Sequence, residues 1–154
     1  MLFKKIITYS RYFSDYLIHG DIVSILASVK YILFKKSANK NRTIKTSGGK
    51  FYCRKGTNDF QFANYYYEWG VKKYMLKNSH KYDVFIDGGS CIGEYSILMA
   101  QKKIHCIAFE PVPETYNVLR KNVLLNKLEN EIDTYCLGLG KTNSRLPFMF
   151  NTVN

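Results

Sequence analysis

Two acidic residues and a glycine turn form the part of this chain with the clearest chemistry. An apolar run ends at Asp87, and the turn that follows carries Gly89 and Gly93. A second apolar run, 104–109, is followed by Glu110, 23 residues after Asp87. Glycines let a backbone pass close to a ligand, and a carboxylate that closes the second strand can accept hydrogen bonds from ribose hydroxyls. The spacing therefore predicts a site for a nucleoside cofactor.

The glycine spacing separates two classes of nucleoside cofactor. The nicotinamide fingerprint G-x-G-x-x-G fails in both registers, because Ser90 or Cys91 stands where it requires glycine. The pattern Asp87-x-Gly89-x-Cys91-x-Gly93 instead resembles motif I of class I methyltransferases, D/E-x-G-x-G-x-G, with Cys91 in place of the middle glycine. Those enzymes bind S-adenosylmethionine, so the resemblance implies this cofactor.

Three segments narrow the resemblance to one family. Residues 54–59 read R-K-G-T-N-D, residues 85–96 read F-I-D-G-G-S-C-I-G-E-Y-S, and residues 108–114 read A-F-E-P-V-P-E. They are similar to R-x-G-T-S-D, F-I-D-V-G-A-N-I-G-x-Y-S/T and A-F-E-P-x-P of the FkbM family, over roughly positions 50 to 140. The resemblance implies about another half-domain after Asn154. We therefore expect a C-terminally truncated chain, with a complete small α/β domain as the alternative.

The family resemblance implies roles for individual residues. Asp87 would orient the glycine loop and help to hold the methionine end of the cofactor. Glu110 would accept from the ribose hydroxyls, and Val112 would lie near the adenine. The implied cofactor-binding set is Asp87, Gly88, Gly89, Gly93, Glu110, Pro111, Val112, Arg54, Thr57 and Asp59. A plainer interpretation stays open for each: a helix cap, tight turns, a surface acid ending a strand, and a capped turn at 54–59.

Some parts of the site stay unassigned at this stage. Residues 137–140 read L-G-L-G, without the acid that the family often has near Gly140, so the residue that recognises the adenine amine is not identified. No catalytic base and no metal ligand is predicted. Methyl transfer needs in-line positioning and, for a hydroxyl acceptor, benefits from a base.

From residue 82 onward, predicted strands alternate with predicted helices. The strands are 83–87, 104–109 and 132–137, and the helices are 93–102 and 113–126. This alternation predicts a parallel sheet with right-handed crossovers, and the continuous apolar runs are typical of strands covered on both faces. The predicted fold class is α/β, a partial Rossmann-like class I methyltransferase sheet of three strands with N-terminal helices.

Residues 1–47 are predicted to form an N-terminal helical segment and linker, and residues 48–154 a partial cofactor-binding domain. A first helix ends at Gly20, and Asp21 can cap a second helix, Ile22 to Lys35. Both helices are amphipathic with basic ends. They could cap the domain or lie on a membrane surface, and periodicity does not separate the two.

The middle of the chain is less regular. The polar stretch 37–50 predicts a linker or exposed loop, followed by a short strand at 50–54. Asp59 is predicted to cap an aromatic helix from residue 60 to about 77, which packs against the sheet edge or forms a lid over the site. A strand-like run stands at 146–150.

Composition limits the partners and the compartment. The formal net charge is +11, from 23 Lys+Arg and 12 Asp+Glu, and favours anionic partners. The basic residues are spread out, which indicates a solvated surface more than a nucleic-acid footprint. The cysteines form no C-x-x-C pair, and we expect Cys106 and Cys136 to be core residues of strands in a reducing cytoplasm. No cleavable signal and no transmembrane helix is predicted.

The sequence thus predicts an S-adenosylmethionine-dependent methyltransferase of FkbM type that O-methylates a hydroxyl of a sugar or natural product. The expected partner is a small-molecule or glycan acceptor, with no nucleic acid expected and peripheral membrane contact through the N-terminal helices left open. Two alternatives remain. One is a catalytically inactive fragment with an exposed apolar sheet edge. The other is a basic module that binds or methylates nucleic acid.

Overall fold

A three-stranded parallel sheet with two crossover helices forms the centre of the protein. The computed structural model describes residues 2–36, 38–145 and 147. The elements of this unit are β3 (Val84–Gly88), α5 (Glu94–Ala100), β4 (His105–Phe109), α6 (Pro113–Asn126) and β5 (Ile132–Tyr135). The strand order is β3-β4-β5, with Asp87 opposite Ala108 and Phe109 opposite Tyr135. The predicted strands, helices and parallel pairing are confirmed.

The sheet is covered on one face. Cys106 and Ala108 point into the core, where Ile97 of α5 and Leu119 of α6 are fully buried. On the opposite face Val84 and Ile86 are exposed, as is Tyr135. The expectation of two covered faces is therefore wrong for the described residues. Both crossovers step in the same direction along the sheet, and right-handed crossovers of this kind place their helices on the same side.

A β-hairpin precedes the sheet. Strand β1 (Arg42–Thr46) pairs antiparallel with β2 (Gly49–Cys53). The predicted loop over 37–50 is thus wrong for 42–46, whereas the predicted strand at 50–54 is confirmed with a shift of one residue. In β1, Ile44 and Thr46 are buried and their neighbours are exposed or half-buried. Burial thus alternates from residue to residue, which is the pattern of a half-buried strand, but the polar composition of this segment concealed it in the sequence.

Two asparagines of α6 bind the outer edge of the hairpin. Asn122 Oδ1 accepts from the backbone nitrogen of Tyr52 at 2.7 Å. Asn126 Oδ1 accepts from the backbone nitrogen of Lys50 at 2.9 Å, and its Nδ2 donates to the backbone oxygen of Lys50 at 2.7 Å. These side chains take the place of a neighbouring strand, because β2 pairs through its other edge with β1.

The aromatic segment forms two helices instead of one. Helix α3 (Asp59–Phe62) and helix α4 (Trp69–Asn78) are separated, so the helix predicted from 60 to 77 is wrong over 63–68. Asn64 explains the interruption. Its Oδ1 accepts from the backbone nitrogen of Tyr66 at 2.9 Å, and its Nδ2 donates to the backbone oxygen of Tyr12 at 3.1 Å. Such local bonds compete with helical ones.

The N-terminal helices are α1 (Leu2–Ile18) and α2 (Ile22–Phe34), as predicted. Asp21 caps α2, since its Oδ1 accepts from the backbone nitrogen of Ser24 at 3.0 Å. Helix α1 is joined to the rest of the fold by buried Asp15, whose two oxygens accept from the backbone nitrogens of Ser47 and Tyr65, both at 2.9 Å. Helix α1 therefore packs on the domain, as the first of the two predicted alternatives requires. Within the described residues, no helix has the length and apolar character that crossing a membrane requires.

Three further predictions concern single positions or segments. Cys106 is a buried strand residue, as expected, but Cys136 is exposed and follows the end of β5 at Tyr135, so its predicted core position is wrong. The strand-like run at 146–150 lies outside the described residues, apart from Pro147. The proposed division at 47/48 falls in the turn between β1 and β2, and it stays a prediction.

Candidate functional site

The glycine loop between β3 and α5 folds over the end of β4. The backbone nitrogens of Gly89 and Ser90 both donate to the backbone oxygen of Phe109, at 2.8 and 2.9 Å. Three loop residues have positive φ: Gly89 at 81°, Cys91 at 48° and Gly93 at 88°. The loop thus approaches the residue that precedes Glu110, which brings both parts of the sequence pattern together.

Glu110 is buried, and its carboxylate is fixed by two backbone groups. Its Oε2 accepts from the backbone nitrogen of Cys91 at 3.0 Å, and its Oε1 accepts from the backbone nitrogen of Val112 at 2.9 Å. A carboxylate offers about four acceptor positions, so each oxygen retains one for a further donor. This geometry suits a pair of adjacent hydroxyls.

The two loop glycines are required for different reasons. A Cβ added at Gly89 would meet no atom within 4 Å, so this residue borders open space. A Cβ at Gly93 would lie 2.6 Å from Leu119 Cδ1, a fully buried atom of α6. Gly93 is therefore explained by packing between the loop and α6, and Gly89 is the position where a ligand could approach the backbone.

Cys91 occupies a left-handed conformation in which glycine and asparagine are the common residues. This conformation accounts for the glycine or asparagine that related motifs carry at this place. Burial raises the pKa of the Cys91 thiol to about 12, so the group stays protonated near neutral pH. The backbone of Cys91, through its N–H to Glu110, is the part that serves the site.

Asp87 connects the end of β3 to α5. Its buried Oδ2 accepts from Ser96 Oγ at 2.6 Å, and burial raises the pKa of its carboxyl. The alternative of a cap for the following helix is wrong, because α5 begins after Gly93. Asp87 remains positioned beside the loop, opposite Ala108 of β4.

The segment 54–59 forms a closed hydrogen-bond cluster. Arg54 binds Asp59 through Nε at 2.9 Å and through NH2 at 3.0 Å, and its NH1 donates to Thr115 Oγ1 of α6 at 3.0 Å. Thr57 Oγ1 donates to the backbone oxygen of Arg54 and accepts from the backbone nitrogen of Asp59. The prediction that Asp59 caps a helix is wrong, since Arg54 occupies its carboxylate. The cluster anchors the hairpin to the start of α6.

The loop after β5 lies against the same edge of the sheet. A Cβ at Gly88 would lie 3.0 Å from Leu139 Cδ1, and one at Gly138 would lie 3.6 Å from Pro111 Cβ. The 137–140 segment therefore borders the ends of β3 and β4. Pro113 begins α6 in its first turn, as the sequence predicted.

Two buried charged residues beside the loop were missed by sequence reasoning. Glu94 is the first residue of α5, and burial raises its pKa to about 7; its Oε2 is buried and accepts no hydrogen bond from the described residues. Lys72 of α4 is also buried and donates to the backbone oxygen of Asn64 at 3.0 Å. Burial lowers the pKa of Lys72 to about 8, against the attraction of Glu94. The hydrophobic pattern of the sequence does not distinguish Glu94 and Lys72 from exposed charged residues, and only the structure shows that both are buried.

Asn122 was missed as well. Its Nδ2 donates to the backbone oxygen of Ile92 in the glycine loop at 2.9 Å, while its Oδ1 holds Tyr52 of the hairpin. One fully buried amide therefore connects three elements. The sequence did carry a signal for this role, since Asn122 is a polar residue among the core-facing positions of the predicted helix 113–126.

Comparison with known proteins finds similarity to methyltransferases. The methyltransferase sdnD of Sordaria araneosa is 30% identical over 79 residues, which are 50% of this chain and 30% of that protein. The SAM-dependent methyltransferase from Agrobacterium tumefaciens gives a TM-score of 0.53 at 13% identity, over 66% of this chain and 34% of its own. TYW2 from P. horikoshii, solved in complex with MeSAdo, gives 0.55 at 21% identity, over 75% of this chain and 47% of its own. No protein-family model matches the chain.

These similarities show the fold. The described sheet and helices belong to the Rossmann-like architecture of S-adenosylmethionine-dependent methyltransferases, so the predicted fold class is confirmed. The match spans 30% of the curated relative and less than half of each structural relative.

Proposed function

We propose that this chain binds S-adenosylmethionine at the glycine loop and belongs to a methyltransferase. The observation that carries the proposal is Glu110, a buried carboxylate fixed by the backbone nitrogens of Cys91 and Val112 at the end of β4. Beside it, Gly89 borders open space. An oriented acceptor beside an accessible backbone is the arrangement that a nucleoside needs.

The proposed cofactor site has a contacting part and a supporting part. Glu110 accepts from the ribose hydroxyls, and Gly89 lets the loop approach the cofactor. Gly88, which packs against Leu139, leads into this loop, and Val112 borders the adenine after Pro111. Asp87 and Gly93 hold the loop to α5 and α6. Arg54, Thr57 and Asp59 complete the site from the hairpin side; because their polar groups bind one another, they support the wall of the pocket instead of contacting the cofactor.

The reaction proposed for the whole protein is methylation of a hydroxyl on a sugar or related natural product, as the FkbM-like motifs imply. In such a transfer the acceptor oxygen forms a bond to the methyl carbon as the bond from that carbon to sulfur breaks, and the hydroxyl proton leaves to a base. The described residues offer no assigned base. Nucleic acid is the alternative acceptor for the whole protein, and the formal net charge of +11 favours an anionic partner of this kind.

One observation favours the alternative of a chain without activity of its own. Strand β3 forms the edge of the sheet, and its Val84 and Ile86 side chains are exposed. Edge strands with apolar faces are liable to associate. This alternative predicts weak or absent cofactor binding by the folded chain.

The test is calorimetric titration with S-adenosylhomocysteine and with its 2′-deoxyribose analogue. We expect Glu110→Ala to weaken binding of S-adenosylhomocysteine by roughly 10- to 100-fold, the value of a hydrogen bond to a charged group, ~1.5–3 kcal/mol. The matched control is Glu114→Ala, which removes an exposed acid in the first turn of α6. Circular dichroism verifies that each variant is folded.

The analogue separates a ribose contact from an indirect effect on the loop. If Glu110 contacts the ribose, the wild-type chain binds the deoxy analogue more weakly than S-adenosylhomocysteine, whereas Glu110→Ala binds the two ligands with similar affinity. If Glu110→Ala instead weakens binding of both ligands by the same factor, Glu110 maintains the structure of the loop and does not contact the ribose. Absence of binding by the folded wild-type chain would contradict the proposed function and favour the inactive alternative.

A further inference from the structure

The outer face of α2 is apolar although this helix packs on the protein partly through serines. Ser24 and Ser28 are buried, and their hydroxyls donate to Asp21 Oδ2 at 2.6 Å and to the backbone oxygen of Ser24 at 2.8 Å. On the outer side Leu26 is 63% exposed and Leu33 is 65% exposed. A helix that only caps a core carries its largest apolar side chains on the inner face. Packing therefore does not account for the outer residues of α2.

The exposed leucines belong to a continuous stripe. Residues three and four apart lie on one side of a helix, and the α2 stripe consists of Ile22, Leu26, Val29 and Leu33. Further exposed apolar side chains stand on α2 itself, Val23, Ile32 and Phe34, and at the end of α1, Leu17 and Ile18. Proteins that stay monomeric in water rarely expose contiguous apolar patches of more than a few hundred Å², and larger ones mark contacts with proteins or membranes.

The charge around the stripe is positive. Lys30, Lys35 and Lys36 are exposed on α2 and directly after it. Within residues 1–36 the acids are Asp15 and Asp21, and both are occupied inside the protein. Asp15 accepts from two backbone nitrogens, and Asp21 caps α2 and pairs with Arg42 at 2.5 Å. Within residues 1–36, neither of the two acids is therefore exposed, whereas the three lysines are.

We propose that the α2 stripe lies in the surface of an anionic lipid bilayer. The aliphatic side chains would enter the boundary between headgroups and acyl chains, and the three lysines would contact the anionic headgroups. The helix would lie in the membrane plane, because its 13 residues are too few to span the hydrocarbon core. This inference does not depend on the proposed function.

Charge favours lipid over a second copy of the chain. Each copy of the chain carries a formal net charge of +11, and a symmetric contact through the α2 stripe would bring two positively charged proteins together with lysines beside the contact. Like charges oppose such an association. An anionic surface relieves this repulsion and uses the same residues.

The experiment is sedimentation of the full chain with vesicles of phosphatidylcholine, with and without phosphatidylserine. We expect binding to the vesicles that contain phosphatidylserine and weaker binding at high salt. The variant Leu26→Gln/Leu33→Gln removes two apolar anchors, and we expect at least about tenfold weaker binding. Its control is Leu124→Gln/Leu137→Gln, two leucines that are 54% and 58% exposed elsewhere. The control binds within about twofold of wild type, since surface leucines outside the stripe contribute nothing to insertion.

The contribution of charge is tested separately. The variant Lys30→Gln/Lys35→Gln is expected to bind vesicles with phosphatidylserine roughly tenfold or more weakly, because each lysine near an anionic surface adds about 1 kcal/mol. Lys73→Gln/Lys102→Gln removes two exposed lysines elsewhere and serves as the control.

Three results would overturn the proposal. The first is a folded chain that fails to bind vesicles with phosphatidylserine. The second is equal loss of binding in a stripe variant and its control. The third is a concentration-dependent dimer in sedimentation equilibrium that Leu26→Gln/Leu33→Gln abolishes, which would assign the stripe to a second copy of the chain.

Discussion

Alanine substitutions at Gly89 and Gly93 test whether the two glycines serve different purposes. Both residues have positive φ, at 81° and 88°, so both substitutions carry the same type of backbone strain. They differ in their surroundings. The added Cβ at position 89 meets open space, whereas at position 93 it lies 2.6 Å from Leu119 Cδ1. Leu119 is fully buried and cannot move aside without disturbing the core.

The expected loss of stability follows from these surroundings. A left-handed conformation costs a non-glycine residue about 1–2 kcal/mol, offset by about 0.4–1 kcal/mol because alanine has less freedom than glycine in the unfolded chain. Overpacking a core adds about 1–3 kcal/mol, and only Gly93→Ala incurs it. We therefore expect Gly89→Ala to lose about 1 kcal/mol of unfolding free energy and Gly93→Ala about 2–4 kcal/mol.

Urea denaturation measures the two losses, and titration with S-adenosylhomocysteine measures binding by the folded variants. Under the proposed function Gly89→Ala binds at least about tenfold more weakly, because its Cβ occupies space next to the cofactor. Gly93→Ala, once folded, loses less affinity. Equal destabilisation of the two variants would refute the packing argument for Gly93. Unchanged affinity in Gly89→Ala would refute the argument that a ligand approaches the loop there.

Two further predictions concern buried charge. Glu94 has a folded-state pKa of about 7, raised by burial from 4.5, so the folded state holds its proton more tightly than the unfolded state and stability falls as pH rises between these values. Urea denaturation at pH 5 and pH 7.5 should show that the free energy of unfolding falls by about 2 kcal/mol at the higher pH, and that Glu94→Gln largely removes this fall. The neighbouring charges are Lys72, Glu68 and Asp87. An unchanged pH dependence in Glu94→Gln would contradict this prediction. Asp59→Asn breaks the buried pair with Arg54 and should lower the unfolding free energy by about 3–5 kcal/mol, whereas Asp133→Asn, which loses an exposed pair with His105, should change it by less than about 1 kcal/mol. Similar losses in the two aspartate variants would show that the Arg54 cluster contributes little.

The part of the fold that sequence predicted best is the part where several local signals agree. For α6, the alternation of strands and helices and Pro113 in the first turn indicated the helix, and the predicted bounds 113–126 match. The strands β3 and β4 were equally clear, because their continuous apolar runs ended at Asp87 and before Glu110. The contact between the glycine loop and Glu110 followed from these two strands, since the ends of adjacent parallel strands meet at one edge of the sheet.

Several of the errors arise from hydrogen bonds and packing contacts that the local sequence pattern does not encode. Asn64 interrupts an otherwise helical aromatic segment by binding Tyr12, 52 positions earlier. The carboxylate of Asp59 binds Arg54 instead of a helix terminus. The pairing of β1 with β2 was hidden by polar residues whose alternation has meaning only once one face is buried. The buried Glu94 and Lys72 depend on packing between α4 and α5, which local sequence does not encode.

The shared amide of Asn122 has a consequence for the kinetics of solvent exchange. The N–H of Tyr52 bonds to Asn122 Oδ1, and the same side chain holds the backbone oxygen of Ile92 in the glycine loop. Deuterium can replace the Tyr52 proton only when this bond opens. Any movement of the glycine loop that displaces the Asn122 side chain also frees the N–H of Tyr52. The exchange rate of this single hairpin amide therefore sets an upper limit on how often such a loop movement occurs.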